Sequence, residues 1–469
     1  MKARLFRLSM LLVAGLMSVT LFGQATSSIT GTVRDSSGAV VPGATVKVSI
    51  RAQGIERNTV TDSAGSYLVP GLSAGTYKIQ VTSQGFKTST VNSVVLNAAQ
   101  NIRADVTLQV GQVSTEVTVE GTNVGQVQTQ TAQLGGTITG KQITQLELNG
   151  RNFTQLITLV PGVSNQTNQD EGTVGVYGSV AYSVNGGRTE YNNWELDGAS
   201  IMDTGSNGTI NVYPSVDAIA ETQVLTSNYG AQYGQDASGT VVAVTKSGTN
   251  QFHGDVYEFV RNDAFNARNF FDGNRPPYKK NDYGFTLGGP IYIPGHYNTQ
   301  KDKTFFFWSE EWRKQLDPAT FNPQVPSIQE RQGNFSDLCP SGGGPVDTKT
   351  FPDCPLLNTS TRQPFPGNQV PIDPNAQFLM GLVPAPNFGS GATSFYLNSL
   401  SYPTNWREDL IRVDQNVSSK VRLMGRYIHD SWNTVTPTTL WSTGSFPTIN
   451  TEFGGPGVSL AAQLTATIS

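Results

Sequence analysis

Cysteine, histidine and charged side chains are all scarce in this chain of 469 residues, and each shortage excludes a class of function. The chain has two cysteines and three dispersed histidines, so it lacks the closely spaced ligands of a metal site. Only 14% of the residues are charged, the net charge is −4, and no Lys/Arg cluster follows the first few residues, so nucleic acid is not an expected partner. We therefore expect no enzyme, no metal and no cofactor.

The nearest approach to a cofactor motif is GGTITGKQ, residues 135–142, which has the G-x-x-x-x-G-K spacing of a phosphate-binding loop. Gln142 stands where Ser or Thr should bind Mg²⁺, and no buried-strand pattern precedes the motif. The sequence therefore does not predict a nucleotide site.

Long apolar runs are also rare, and the one that stands out is Leu8–Phe22. Three basic residues precede it, and a small-x-small site ends at Ala25, so we expect a secretory signal peptide over residues 1–25 with cleavage after Ala25. An N-terminal membrane anchor is the alternative, but the run is shorter than the roughly 20 residues that a spanning helix needs. The mature chain is expected to be soluble outside the cytoplasm or to cross a membrane as β-strands.

Residues 26–110 have the pattern of a β-sandwich. Apolar residues alternate with polar ones in ITGTVRD, ATVKVSI and GTYKIQV, and Gly, Pro, Asp and Ser separate these runs. Asp35 and Asp62 are predicted to be turn residues. GTVRDSSGAVVPGATVKV, followed by TDSAGSYLVPGLSAGTYKIQVTSQGFK, resembles the carboxypeptidase regulatory-like domain. Because the segment lacks a His/Glu metal-ligand set, the resemblance implies a structural or ligand-binding accessory.

Residues 111–135 read as a polar linker that contains one strand-like peptide. An extended peptide of this kind can add itself to an exposed sheet edge through main-chain hydrogen bonds. The alternative is that it forms the last strand of the preceding sandwich or an idle linker. The candidate docking residues are Thr115, Glu116, Val117, Thr118, Val119 and Glu120.

Residues 136–250 read as a small α+β domain. Phe153, Leu156, Ile157 and Val160 have helical spacing after a possible cap at Asn152. The ordered phrases LNGRNF, VNGGR, ELDGAS, PSVDAIAETQVLTSNYGAQYG and SGTVVAVTKSGTNQFHG resemble the plug domain of TonB-dependent outer-membrane receptors. NFFD, TLGGPIYIP and KTFFFWSEEW are similar to the Oar-like branch of that family.

The resemblance implies a receptor of the cell outer membrane, with a periplasmic N-terminal domain and extracellular loops. It also implies that residues 115–120 are a TonB box, that a TonB-type energy-coupling protein is a partner, and that the barrel contacts outer-membrane lipid. The sequence does not distinguish an iron chelate, a glycan or a peptide as the extracellular ligand. The alternative function is an outer-membrane surface adhesion or carbohydrate-binding structural protein.

Residues 251–469 have the alternating apolar and polar pattern of transmembrane β-strands. Tyr283, Phe285 and Leu287 share one parity, and Arg422 and Arg426 oppose Val421, Leu423 and Tyr427, so apolar faces should meet lipid and polar faces the lumen. The aromatic cluster Phe305–Trp308, with Trp312, fits an interfacial girdle, with a soluble sandwich core as the alternative.

The length of this region suits about eight strands with long loops, whereas the family barrel has about 22. The expected fold is therefore mainly β: an N-terminal β-sandwich, a small α+β plug and the first part of an incomplete transmembrane β-barrel. We expect the chain to be the N-terminal fragment of a longer protein.

Cys339 and Cys354 lie in a Pro-rich loop between predicted strands. The oxidising conditions outside the cytoplasm favour a disulfide between them, which would contribute about 3 kcal/mol by closing a loop of about 15 residues. Two free thiols are the alternative.

Overall fold

The computed structural model describes residues 27–112, 116–120, 130–148, 150–166, 180–234, 237–268, 275, 277–339, 354–436 and 450–467. Strands predominate in these residues, and the helices are few and short. None of the described helices combines the length and apolar character needed to cross a membrane. The predicted signal peptide and its cleavage site at Ala25 lie outside the described residues.

Two β-sheets make up the N-terminal sandwich. The strands are β1 (Ser27–Asp35), β2 (Thr45–Ile50), β3 (Ile55–Val60), β4 (Ser66–Leu72), β5 (Gly75–Thr82), β6 (Thr88–Leu96), β7 (Asn101–Arg103), β8 (Val106–Leu108) and β9 (Glu116–Glu120). One sheet has the strand order β4-β1-β7, with β8 also paired to β1, and the other has the order β3-β2-β5-β6-β9. A 3-10 helix, Arg51–Gln53, follows β2.

The alternation read from the sequence builds the core of this sandwich. Val46 and Val48 on β2 and Ile79 on β5 have no exposed surface, and they lie in one apolar cluster between the sheets. Asp35 Oδ1 accepts hydrogen bonds from the backbone N–H groups of Ser37 and Ala39, at 2.8 and 3.0 Å. Asp62 does the same for Ala64 and Ser66, both at 2.9 Å, so the predicted turn role of both aspartates is confirmed.

The plug consists of a five-stranded sheet and a separate pair of strands. Its elements are β10 (Leu134–Thr139), α1 (Gly140–Gln145), β11 (Val163–Asn165), β12 (Tyr182–Val184), β13 (Asn193–Leu196), β14 (Ala199–Ser200), β15 (Ile219–Ser227) and β16 (Thr240–Thr245). The sheet has the order β10-β15-β16-β13-β14, and the separate pair is β11-β12. β13 and β16 are parallel, and the other pairs of the sheet are antiparallel. Short 3-10 helices span Phe153–Leu159, Thr189–Tyr191, Val216–Ala218 and Ala231–Tyr233.

The helix predicted after Asn152 forms as a 3-10 helix, Phe153–Leu159. Asn152 Oδ1 accepts a hydrogen bond from the Thr154 N–H at 3.0 Å, which is the expected N-cap contact. Leu156 and Ile157 are buried in the plug core. The sequence pattern thus located the cap and the buried face, while the tighter helix type was not foreseen.

Six consecutive antiparallel strands follow the plug in the described residues. They are β17 (His253–Asn262), β18 (Lys279–Pro290), β19 (Thr304–Phe321), β20 (Asn398–Asn416), β21 (Val421–Thr436) and β22 (Thr451–Ala466). The length of the region suggested about eight strands, and the described residues contain six, of which β19 and β20 have 18 and 19 residues. Long strands of this kind extend beyond the roughly 10 residues that cross the hydrocarbon layer.

The two faces of this barrel wall differ as predicted. Arg422 and Arg426 are 7% and 1% exposed and face inward, whereas Leu423 is 43% exposed and faces outward. The girdle interpretation was wrong for Phe305 and Phe307, which are buried on the inner side. A strand alternates its side chains between two faces, so adjacent aromatic residues cannot all belong to one outer belt.

The two ends of the wall are also unequal. Residues 417–420 join β20 to β21 and residues 291–303 join β18 to β19 at one end, which we call the short-turn rim. Residues 322–397 join β19 to β20 at the other end and contain the second helix, α2 (Pro374–Leu382). Outer-membrane barrels have short periplasmic turns and longer extracellular loops.

Candidate functional site

The inner face of the barrel wall is lined with buried charged side chains, and most of them contact the plug. All of them are at most 7% exposed, and they come from four neighbouring strands. Charges removed from water need partners, so these positions determine how the plug is held. The set comprises Lys280 and Asp282 on β18, Glu311 and Arg313 on β19, Glu408, Arg412 and Asp414 on β20, and Arg422, Arg426 and Asp430 on β21.

Arg412 connects the barrel to two plug strands near the short-turn rim. Its Nη1 donates to Asp197 Oδ1 at 3.1 Å and to the Thr245 carbonyl at 2.9 Å. Asp197 directly follows β13 and also accepts a hydrogen bond from the Thr245 N–H at 2.9 Å. One barrel arginine therefore fixes the ends of β13 and β16 together.

Asp414 is the counter-charge for two arginines near the short-turn rim. It pairs with Arg412 Nε and with Arg422 Nη2, both at 2.9 Å, and accepts from Ser247 Oγ at 2.7 Å. Arg426 Nε lies 3.4 Å from Asp197 Oδ2. These contacts form what we call the rim network, which consists of Asp197, Arg412, Asp414, Arg422 and Arg426.

A second group of contacts, the central network, surrounds Glu311 halfway along β19. Glu311 accepts from Ser215 Oγ and Tyr257 OH, each at 2.8 Å, and from Arg313 Nε at 2.7 Å. Arg151 of the plug forms an ion pair with Asp217 and lies 3.8 Å from Glu311. The central network consists of Arg151, Ser215, Asp217, Tyr257, Glu311 and Arg313.

Three carboxylates stand side by side at this level of the wall. Glu311 is the cross-strand partner of Glu408, which is the cross-strand partner of Asp430. Glu408 accepts a hydrogen bond from the Ser215 N–H, and Asp430 accepts one from the Tyr213 N–H at 2.6 Å. The barrel thus holds the main chain of the plug as well as its side chains.

The candidate coupling peptide lies at the edge of the sandwich. Glu116 to Glu120 form β9, which pairs in parallel with β6 so that Thr88 opposes Glu116 and Thr90 opposes Thr118. Thr115 lies outside the described residues. Edge strands offer unpaired main-chain groups on one side, which suits pairing with a second strand.

The connection from β19 to β20 lies at the long-loop end. Cys339 and Cys354 form a disulfide there, with their Cα atoms 5.7 Å apart. Asp373 caps α2 by accepting a hydrogen bond from the Asn375 N–H at 2.7 Å. Phe378 and Leu379 on α2 are 72% and 60% exposed, so this loop presents apolar as well as polar surface.

The sequence pattern placed Arg422 and Arg426 on the lumen face but did not indicate their partners. In WREDLIRVDQN, charged residues at 408, 412 and 414 alternate with apolar Ile411 and Val413, the same signal that identified β21. Asp197 carried no comparable signal, because its partner Arg412 is 215 positions away.

No catalytic activity is indicated. In the part of the chain that the structure describes, no group of three His, Cys, Asp or Glu side chains could hold a metal ion. Of the buried carboxylates described above, Asp282 pairs with Lys280, and the others bind the plug or pair with arginines.

Comparisons with known proteins match this architecture in three consecutive parts. Residues 28–109 match the carboxypeptidase regulatory-like domain, residues 127–241 the TonB-dependent receptor plug domain, and residues 244–469 the outer membrane beta barrel domain. The TonB-dependent transporter Oar of Myxococcus xanthus is 28% identical over 315 residues, which cover 61% of this chain and 27% of that protein. The chain therefore spans about a quarter of the length of this relative.

Among solved structures, the outer membrane transporter YddB from Escherichia coli is 12% identical, with a TM-score of 0.44, over 71% of this chain and 37% of that one. A catechol 1,2-dioxygenase from Acinetobacter radioresistens aligns with 21% of this chain and 58% of its own, at 14% identity and a TM-score of 0.16. Neither likeness is close enough to support an argument. The three family matches show that the chain joins an N-terminal carboxypeptidase regulatory-like domain to the plug and barrel of the TonB-dependent receptors of the cell outer membrane, and the chain is similar to the Oar transporter of that family.

Proposed function

We propose that the protein imports a ligand across the outer membrane with energy supplied by a TonB-type protein. The ligand binds at the extracellular loops and at the outward tips of the plug. The coupling protein then pulls on the segment ahead of the plug, and the plug rearranges until the ligand passes. The apolar outer face of the barrel strands contacts outer-membrane lipid.

The observation that carries this proposal is the polar attachment of the plug to the inner wall of the barrel. Passage through the lumen requires the plug to move, and its contacts with Arg412, Glu311 and Asp430 are hydrogen bonds and ion pairs. Water can replace such contacts one at a time during a rearrangement, so the plug can be held firmly at rest and still be released under force.

The coupling peptide in this proposal is Thr115–Glu120. Its described residues form β9, which pairs with β6 on one side and forms the edge of the sheet on the other. A strand of the coupling protein can therefore pair with β9 along this outer edge through main-chain hydrogen bonds. Such pairing does not require the sandwich to unfold.

Deletion of Thr115–Glu120 from the protein expressed from its complete gene should abolish uptake and leave ligand binding at the cell surface unchanged. The measurement is accumulation of labelled ligand in cells, with iron chelates, glycans and peptides tested in turn. A deletion of the same length in the linker, residues 123–128, is the control and should retain uptake. Normal uptake after loss of Thr115–Glu120 would refute the assignment of the box.

The same assay distinguishes import from the alternative function. Retained cell adhesion, together with no uptake of any ligand class by the unaltered protein, would favour a surface adhesion or carbohydrate-binding structural role over import.

A further inference from the structure

One turn of the sandwich is fitted to the short-turn rim of the barrel. The Ala52 carbonyl accepts a hydrogen bond from the Asn250 N–H at 2.7 Å, at the connection between plug and barrel. Asn416, which ends β20, donates from Nδ2 to the Gln53 and Asp302 carbonyls, both at 2.9 Å. Since these acceptors are main-chain groups, the contact depends on the shape of the turn.

A second part of the sandwich touches the plug itself. The Ala98 N–H donates to the side chain of Glu221 on β15. Ala99 is 5% exposed and packs in one cluster with Leu225, Tyr233 and Val242 of the plug. Burial raises the pKa of Glu221 to about 7, although the hydrogen bond from Ala98 opposes this rise. The sandwich thus contacts two adjacent strands of the plug sheet, β15 and β16.

We propose that the sandwich caps the periplasmic face of the plug and that import requires the cap to undock. The inference rests on the import function proposed above. The cap is fixed at two places, to the barrel rim at Ala52–Gly54 and to the plug at Ala98–Ala99. A plug held in this way cannot move toward the periplasm as long as both contacts persist. We call these five residues the docking surface.

A reversible lock tests the requirement for undocking. Ala52→Cys combined with Asn250→Cys places two thiols where the main chains are already hydrogen-bonded. The two native cysteines are bonded to each other, so the engineered pair should react alone. In cells that express the complete protein, oxidation of the pair should abolish ligand uptake, and a reductant should restore it. Ligand binding at the surface should not change.

The outcomes of this experiment separate the cap from the import function. Equal uptake by the oxidised and reduced forms would overturn the cap and leave import intact. Absence of a cross-link under oxidising conditions would show that the sandwich does not dock here. Absence of uptake by both the unaltered protein and the reduced variant would overturn import and, with it, the role of the cap.

Gly54→Asn provides an independent test of the docked position. Gly54 has a φ of +61°, which asparagine tolerates, but an added Cβ would lie 2.0 Å from the Asp302 carbonyl oxygen. The sandwich should fold but fail to dock. If the substitution costs about 1.4 kcal/mol of docking free energy or more, cross-linking of the engineered pair falls at least tenfold. Gly38→Asn is the matched control, because Gly38 has a φ of +89° and no atom within 4 Å of an added Cβ. Unchanged cross-linking with Gly54→Asn would contradict the proposed contact.

Discussion

Replacing Asp414 with asparagine should destabilise the attachment of the plug by about 3 to 5 kcal/mol, because it leaves buried arginines without a counter-charge. The rim network contains three arginines and two aspartates, all with side chains at most 8% exposed. Loss of the Asp414 charge leaves Asp197 to balance three cations in a site that water cannot easily enter. The asparagine keeps the shape of the side chain, so the effect reports the charge.

The measurement is the urea concentration at which the plug of the purified protein in detergent becomes accessible to protease. Asp409→Asn is the matched control on the same strand. Asp409 faces outward and pairs with Arg407, with side chains 31% and 49% exposed, so its replacement should cost less than about 1 kcal/mol. Equal shifts for Asp414→Asn and Asp409→Asn would contradict a central role of the rim network.

Replacing Trp194 with alanine should destabilise the plug itself by about 3 to 5 kcal/mol, because it opens a cavity in the core. Trp194 lies on β13, is 1% exposed, and packs against Tyr182 with ring centroids 6.0 Å apart. The surrounding cluster includes barrel residues such as Phe307, so a collapse of the site would also disturb the contact between plug and wall.

The change in the free energy of unfolding of the plug can be measured by protease resistance in urea. Far-UV circular dichroism is a second measurement, because its signal comes from the backbone and not from the tryptophan that is removed. Tyr191→Ala is the control, because Tyr191 is a neighbouring aromatic residue of the same domain that is 45% exposed. Its replacement should cost within about 0.5 kcal/mol. A similar loss for both variants would show that Trp194 does not organise the plug core.

Local periodicity explains what the sequence could predict. Strands such as β2 and β5 bury every second residue, and the parity of Arg422 against Leu423 placed the lumen and the lipid correctly. The same rule, applied strictly, would have separated Phe305 and Phe307 from Trp308. That error came from treating a cluster in sequence as a cluster in space.

Contacts between distant segments could not be predicted from one sequence. The Asp430 contact with the Tyr213 N–H and the Arg412 contact with Asp197 join residues more than 200 positions apart. A charged residue in a barrel strand indicates which face points inward, but it does not indicate which distant residue it pairs with. The pairing of β9 with β6 makes β9 an edge strand of the sandwich, as the alternative interpretation of the linker predicted, and the role of residues 115–120 as a TonB box stays a prediction.

Cross-linking at Thr118 tests whether β9 binds a TonB-type protein. Thr118 is an exposed residue of β9, and Thr118→Cys in the complete protein can form a disulfide with a TonB-type protein that carries a single cysteine in its partner strand. We expect a cross-link in living cells that increases when the transported ligand is added. Continued uptake with no cross-link at this position, or at the neighbouring residues of β9, would contradict this binding.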